Sequence, residues 1–136
     1  MLSYGYFEHD ADTGIIGRGN TPEEAFISAA EAMFAIMVDI TTVHEAQHVQ
    51  FEFEEEDVEF ALVTWLNRLL TEARTHGLVF GRFHLHRNGA HWEGGAWGES
   101  WRDALEKGVE VKGATLTLLS VQSGPAGWEA RCVVDV

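Results

Sequence analysis

Apolar residues recur along this chain with two different periods, and the periods predict its elements. Val49, Phe51 and Phe53 alternate with Gln50, Glu52 and Glu54, the spacing of a strand with one face on a core and the other in water. Residues 4–8 and 13–18 read as two further short strands about a corner at residues 9–12. The period then lengthens: Ala25, Phe26, Ala29, Ala30, Met33, Phe34 and Met37 recur at helical spacing up to Val38 and Asp39, which predicts a helix with a core-facing stripe. Thr21 as N-cap, Pro22 in the first helical position and Glu24 placed to complete a capping box mark its start.

A second helix is predicted over residues 57–77, with Val58, Ala61, Leu62, Trp65, Leu66, Leu69 and Ala73 on one stripe and Gly77 as a left-handed stop. The acidic run at residues 54–57 suits the positive end of its dipole. Residues 78–87 and 90–96 flank Asn88-Gly89, a strong hairpin signal. Residues 100–107 fit a short helix or a loop, and 109–114, 116–121 and 128–134 read as strands, the last two joined across Gly124-Pro125-Ala126-Gly127. Strands and helices do not alternate regularly. The pattern therefore predicts an α+β fold: a single two-layer domain over residues 1–136, its sheet largely antiparallel or mixed, with both amphipathic helices on one face.

Composition narrows the partners. At 136 residues with 46% hydrophobic positions, five Trp and eight Phe, the chain buries a real core and needs no disulfide or metal to hold it. Its 22 acidic and 9 basic residues leave a net charge of −13, which opposes direct binding to nucleic acid and favours a cation or a basic protein surface. Cys132 is the sole cysteine, so no disulfide framework is expected. Met1-Leu2-Ser3-Tyr4-Gly5 has no targeting signal and no run reaches a membrane-spanning length, so a cytoplasmic location away from membranes is expected.

Two groups of residues carry candidate chemistry. His9-Asp10-Ala11-Asp12 near the start and Asp135-Val136 at the finish form a split acidic cluster. If the fold joins the ends, Asp12, Asp135 and the Val136 carboxylate supply hard oxygen ligands for a divalent cation such as Ca²⁺, Mg²⁺ or Mn²⁺. The same residues equally suit turns at exposed chain ends. In the last strand Trp128, Ala130, Cys132, Val134 and Val136 share one face, leaving Glu129, Arg131, Val133 and Asp135 on the other.

The second group comes from the hairpin. A loop at Asn88-Gly89 would pair Arg87 with Ala90, His86 with His91 and His84 with Glu93. His84, His86, His91 and Glu93 would then lie together as a zinc set for a hydrolase, or form the wet face of the hairpin with Phe83, Leu85 and Trp92 inside. His44 and His48 read as surface residues. The chain has no Gly-rich phosphate loop, nucleophile elbow or Cys-x-x-Cys, so catalysis is not expected.

Tyr6-Phe7-Glu8-His9-Asp10-Ala11-Asp12-Thr13-Gly14, Thr21-Pro22-Glu23-Glu24-Ala25-Phe26, Thr64-Trp65-Leu66-Asn67-Arg68-Leu69-Leu70, Val111-Lys112-Gly113-Ala114-Thr115 and Val133-Val134-Asp135-Val136 resemble the archease family, in order and over essentially the whole length. The resemblance implies a non-catalytic protein cofactor of the RNA ligase that seals tRNA and other ends carrying a 2′,3′-cyclic phosphate or 3′-phosphate. Such cofactors assist guanylylation of the ligase's active-site histidine and permit repeated turnover. The resemblance also implies a cation, usually calcium, with Asp12, Asp135 and Val136 as its ligands. The chain departs from the family pattern at Asp10, where Thr is usual, and at Leu116 and Thr117, where Tyr and His are usual. A blander alternative is an acidic adapter that docks another RNA-processing enzyme without a metal.

Overall fold

Side chains at two positions, Thr21 and Asp57, fix where the helices begin. The computed structural model describes residues 3–136; Met1 and Leu2, part of the stretch read for a targeting signal, lie outside the described residues. Thr21 is extended, and its Oγ1 accepts the Glu24 amide at 3.1 Å, starting α1 (Pro22–Met37) where the pattern predicts. The Glu24 carboxylate reaches one residue further back than in a capping box, to the Asn20 amide at 3.0 Å. Asp57 Oδ1 accepts the Glu59 and Phe60 amides at 2.9 and 3.1 Å and starts α2 (Val58–His76). Gly77, at φ 65° and ψ 35°, ends it in the left-handed conformation that costs glycine least.

The strands are β1 (Ser3–His9), β2 (Asp12–Gly19), β3 (Gln47–Glu54), β4 (Leu78–Asn88), β5 (His91–Ser100), β6 (Gly113–Ala114), β7 (Ser120–Gly124) and β8 (Gly127–Asp135). All their pairings are antiparallel, and with two helices this is the expected α+β class. The strands divide between two sheets, one ordered β1-β2-β8-β6 with β7 also on β8, the other β3-β5-β4. Both helices touch both sheets: α1 meets β1, β2 and β8 as well as β4, and α2 meets β4 and β5 as well as β6 and β7. That position explains why burial on α1 extends beyond the predicted stripe to Ser28 and Ala32, since a helix walled on several sides cannot keep a wide polar face.

One hydrophobic cluster joins all the layers. Trp65 and Trp92 are fully buried, and each indole N–H still finds a carbonyl at 3.0 Å, on Phe26 and Glu55 respectively. Phe26 and Phe53 both stack on Trp92, with centroids 5.3 and 5.8 Å away. Burying such rings contributes roughly 2–3 kcal/mol each.

Three expected boundaries differ. Residues 109–114 and 116–121 do not form full strands; pairing is confined to Gly113–Ala114 and Ser120–Gly124. The stretch before β6 instead ties down the end of α1, where the Gly108 and Val109 amides bond the Met37 and Ile36 carbonyls at 2.8 and 3.1 Å. Helix ends leave such carbonyls open, so isolated apolar residues there anchor a strap rather than a ladder. Leu118, at φ 51°, turns the chain within the second stretch. Residues 100–107 resolve as the end of β5 followed by a loop.

The hairpin register also differs. Asn88 belongs to β4 and pairs with His91, so Gly89 (φ 63°) and Ala90 make the loop, with glycine first as one favoured two-residue turn requires. The pairs are Arg87 with Trp92, His86 with Glu93 and His84 with Gly95, not the expected Arg87/Ala90, His86/His91 and His84/Glu93. A shift of two keeps every side chain on its face. Hydrophobic patterning is therefore blind to it, and turn chemistry decides.

At Gly17, on β2, an added Cβ would lie 2.1 Å from the Ala25 carbonyl oxygen and 2.3 Å from the Ala29 nitrogen. These are backbone atoms of α1, which cannot rotate away. Gly17→Ala is expected to destabilise the fold by about 2–3 kcal/mol, read as a lower urea midpoint at unchanged slope.

Candidate metal centre at the paired chain ends

Antiparallel pairing of β2 with β8 determines where the first candidate group falls. Thr13 pairs with Val134, so Asp12, the first residue of β2, and Asp135, the last of β8, face each other one rung further on. The Val136 amide donates to Asp12 Oδ1 at 3.4 Å across 124 residues of chain. The corner between β1 and β2 thus lies beside the C-terminal residue, while β1 carries Ser3 away to pair with Arg18.

His9 pairs with Asp12, and Gly113 with Asp135. One row across four strands therefore reads His9, Asp12, Asp135, Gly113. Directly paired residues share a face, so the side chains of His9, Asp12 and Asp135 lie on the side opposite buried Ile15, Ala130, Cys132 and Val134. Like charges at directly opposed positions repel, and a cation between the two aspartates would reverse that sign.

The donor set fits such an ion. Asp12, Asp135 and the Val136 carboxylate are hard oxygen ligands of the kind calcium takes. Among the described residues, His9 Nδ1 is the buried side-chain polar atom without a hydrogen-bond partner, and it belongs to this same row. Asp10 sits in the exposed β1–β2 turn at φ 50°, a conformation that aspartate tolerates better than most residues. Cys132 offers no thiolate nearby, because burial pushes its thiol up to about 12.

α2 makes this edge rigid. Asn67 holds Ala114 at two points, accepting its amide at 2.9 Å and donating to its carbonyl at 3.2 Å. Arg74 Nη2 donates to the Val111 and Lys112 carbonyls at 2.7 and 2.9 Å, and the Lys112 amide donates to the Asp135 carbonyl at 2.8 Å. The β8 end is thus clamped through residues that show no chemistry in one dimension. Leu116 projects next to this clamp, 60% exposed, and Thr117 is also exposed.

The second group does not assemble as predicted. His84, His86, His91 and Glu93 share the open face of the β3-β5-β4 sheet, but the register separates them. His84 Nε2 meets His48 Nε2 at 2.7 Å, and both rings pack on Trp97. His86 is exposed on the rung opposite Glu93. His91 turns to the other neighbour strand: Nδ1 bonds Glu54, while Nε2 lies 2.7 Å from Glu52 and 3.4 Å from Glu93. The hydrolase set is therefore broken, and Glu52 and Glu54 replace two of its members. Alternation already placed both glutamates on the wet face; that β3 pairs with β5 was not legible from the chain.

Hydrogen bonds from Glu54 and then Glu52 hold His91 above its ordinary value, whereas burial and then the His48 charge push His84 below its own. Glu99, one of two buried polar residues among the described residues, is held below the usual carboxylate range by Arg102 at 2.6 Å and the His44 amide at 2.5 Å.

The chain matches the Archease protein family (MTH1598/TM1083) over residues 4–136. It is 34% identical to protein archease of Pyrococcus furiosus and 36% identical to that of Thermococcus gammatolerans, each alignment covering both chains completely. The solution structure of protein 1598 of Methanobacterium thermoautotrophicum superposes with a TM-score of 0.88 at 30% identity, covering 98% of this chain and 99% of that one. An archease from Thermotoga maritima, described as a possible chaperone, shares the fold at a TM-score of 0.66 and 19% identity, over 96% and 94% of the two chains. Among the described residues no helix is long and apolar enough to cross a membrane.

Proton NMR titration of the metal-free protein should place the His91 midpoint above 6.5 and the His84 midpoint below it. Stability from His91 is then fully present below pH 6.5 and lost as pH rises through its folded midpoint. His84 acts oppositely, favouring the folded state above pH 6.5 and losing that contribution as pH falls through its own lower midpoint. Glu54→Gln should lower the His91 midpoint and leave that of His84 in place.

Proposed function

Because this chain belongs to the archease family, we propose that it is a non-catalytic protein cofactor of an RNA ligase, acting through a divalent cation, calcium foremost, at Asp12, Asp135 and the Val136 carboxylate. The ligase is one that seals ends carrying a 2′,3′-cyclic or 3′-phosphate, and the cofactor promotes guanylylation of its active-site histidine and so repeated turnover. The observation that supports this reading is the hydrogen bond from the Val136 amide to Asp12 across 124 residues, which sets the C-terminal residue beside one proposed ligand.

The chain's own residues supply geometry and charge. Asp12 and Asp135 stand on adjacent, paired strands, so their separation is set by the ladder rather than by loop motion. Asn67, Arg74 and the Lys112 amide hold the β8 edge from behind. When bound, the ion neutralises the opposed carboxylates and leaves coordination positions for an acidic or phosphate group of the partner, since three protein groups do not fill a calcium shell. A net charge of −13 speeds encounter with a basic RNA-binding face, an effect that high salt weakens.

In a ligase turnover assay the native chain should raise multiple-turnover sealing, and Asp12→Ala or Asp135→Ala should remove at least about 90% of that stimulation, a loss of the size expected for a metal-site lesion. Circular dichroism should show both variants folded. Full stimulation by both variants would reject the cation role while keeping the cofactor reading; no stimulation by the native chain would reject the cofactor reading itself. A single residue appended after Val136 displaces the carboxylate and should act like Asp135→Ala.

A further inference from the structure

The open face of the β3-β5-β4 sheet holds a second ligand cluster, on the other sheet from the paired ends. Glu52 pairs directly with Glu93, and Glu54 with His91, so the two rungs flanking the Phe53–Trp92 pair present three carboxylates and one imidazole on one face. One ligand atom each from Glu52, His91 and Glu93 lies within 4.8 Å of the others. We propose that Glu52, Glu93 and His91 Nε2 form a site for zinc or a like first-row divalent transition ion, with Glu54 fixing the imidazole from behind.

Orientation of the histidine supports this more than proximity does. A metal-ligating imidazole usually gives its second nitrogen to a carboxylate, which fixes tautomer and ring plane. Glu54 occupies Nδ1 of His91 in that way, so Nε2 is aimed at the space between Glu52 Oε1, 2.7 Å away, and Glu93 Oε1, 3.4 Å away. Tetrahedral zinc with bonds near 2 Å needs ligand atoms about 3.3 Å apart. The Glu93 spacing already satisfies that, and the Glu52 side chain, 58% exposed, has room to retreat the remaining fraction of an ångström.

Charge supports the same assignment. Among the described residues the ion-pair contacts of Glu52, Glu54 and Glu93 all go to His91. Arg68 comes close but donates to the Glu52 carbonyl and pairs with Glu72. A protonated His91 offers one positive charge against three negative ones, whereas a divalent ion with neutral His91 offers two and also bridges the opposed Glu52 and Glu93, which otherwise repel. A nitrogen ligand beside carboxylates selects zinc, cobalt or nickel over calcium. The two sheets would then carry cation sites of different chemistry.

The test is a titration of the full chain with Zn²⁺, and with Co²⁺ for its visible spectrum, at neutral pH in excess Ca²⁺. One equivalent of zinc should bind that calcium does not displace, at least about 30-fold more weakly in His91→Gln and in Glu52→Gln/Glu93→Gln, and equally well in Asp12→Asn. Glu54→Gln, which leaves all three ligands in place, should still weaken binding about 10-fold or more. Absence of stoichiometric zinc in the native chain overturns the proposal and leaves His91 as an imidazolium held by glutamates. So does zinc affinity that is unchanged in His91→Gln or is lost in His84→Ala instead.

Discussion

Pairing of β2 with β8 is the constraint on which the rest of this molecule depends. It joins residues at opposite ends of the chain, and closing a loop of 124 residues costs about 4 kcal/mol in the length-dependent term alone. Local hydrogen bonds cannot meet that cost, because the ladder forms only when the intervening chain is folded. What offsets it is the apolar face the pair presents: Ile15, Ala130, Cys132 and Val134 are buried against α1. The same ladder that completes the core therefore sets the outer face, where His9, Asp12 and Asp135 share a row.

The helices transmit that constraint to the second sheet. Each touches strands of both sheets, so neither sheet can move as a unit without disturbing the cluster around Phe26, Trp65 and Trp92. α2 reaches further through Asn67, which grips β6, and Arg74, which grips the segment ahead of it. The β8 end is held by a helix far from it in sequence. An edge supported in this way is a better place for charged ligands than a free terminus, where the entropy of ordering would oppose binding.

Each sheet sets like charges against each other across paired strands: Glu52 pairs directly with Glu93 on one, and Asp12 and Asp135 stand one step beyond the Thr13–Val134 pair on the other. Opposed carboxylates destabilise a ladder, and a strongly acidic chain multiplies such encounters. The surroundings differ in a chemically meaningful way. Around Asp12 the partners are oxygen donors with one orphaned imidazole nitrogen, whereas Glu52 and Glu93 converge on a histidine that a third glutamate orients. Ligand type, rather than charge alone, separates the cations that the two sheets would take.

Sequence by itself determined the elements that rest on local physics. Thr21, Pro22, Asp57 and Gly77 mark helix ends because caps act within one turn, and the alternation of Val49, Phe51 and Phe53 assigns faces because a strand has period two. The α+β class and the division of residues between wet and dry faces follow from those. Tertiary structure alone decided which strands are neighbours, that the helices serve two sheets, and that His91 meets Glu52 rather than His86. Patterning repeats every two residues, so a register shifted by two and a different neighbour strand satisfy it equally well. Only the packing of the whole chain, including the glycine-first turn at Gly89 and the burial of Trp92, removes that degeneracy.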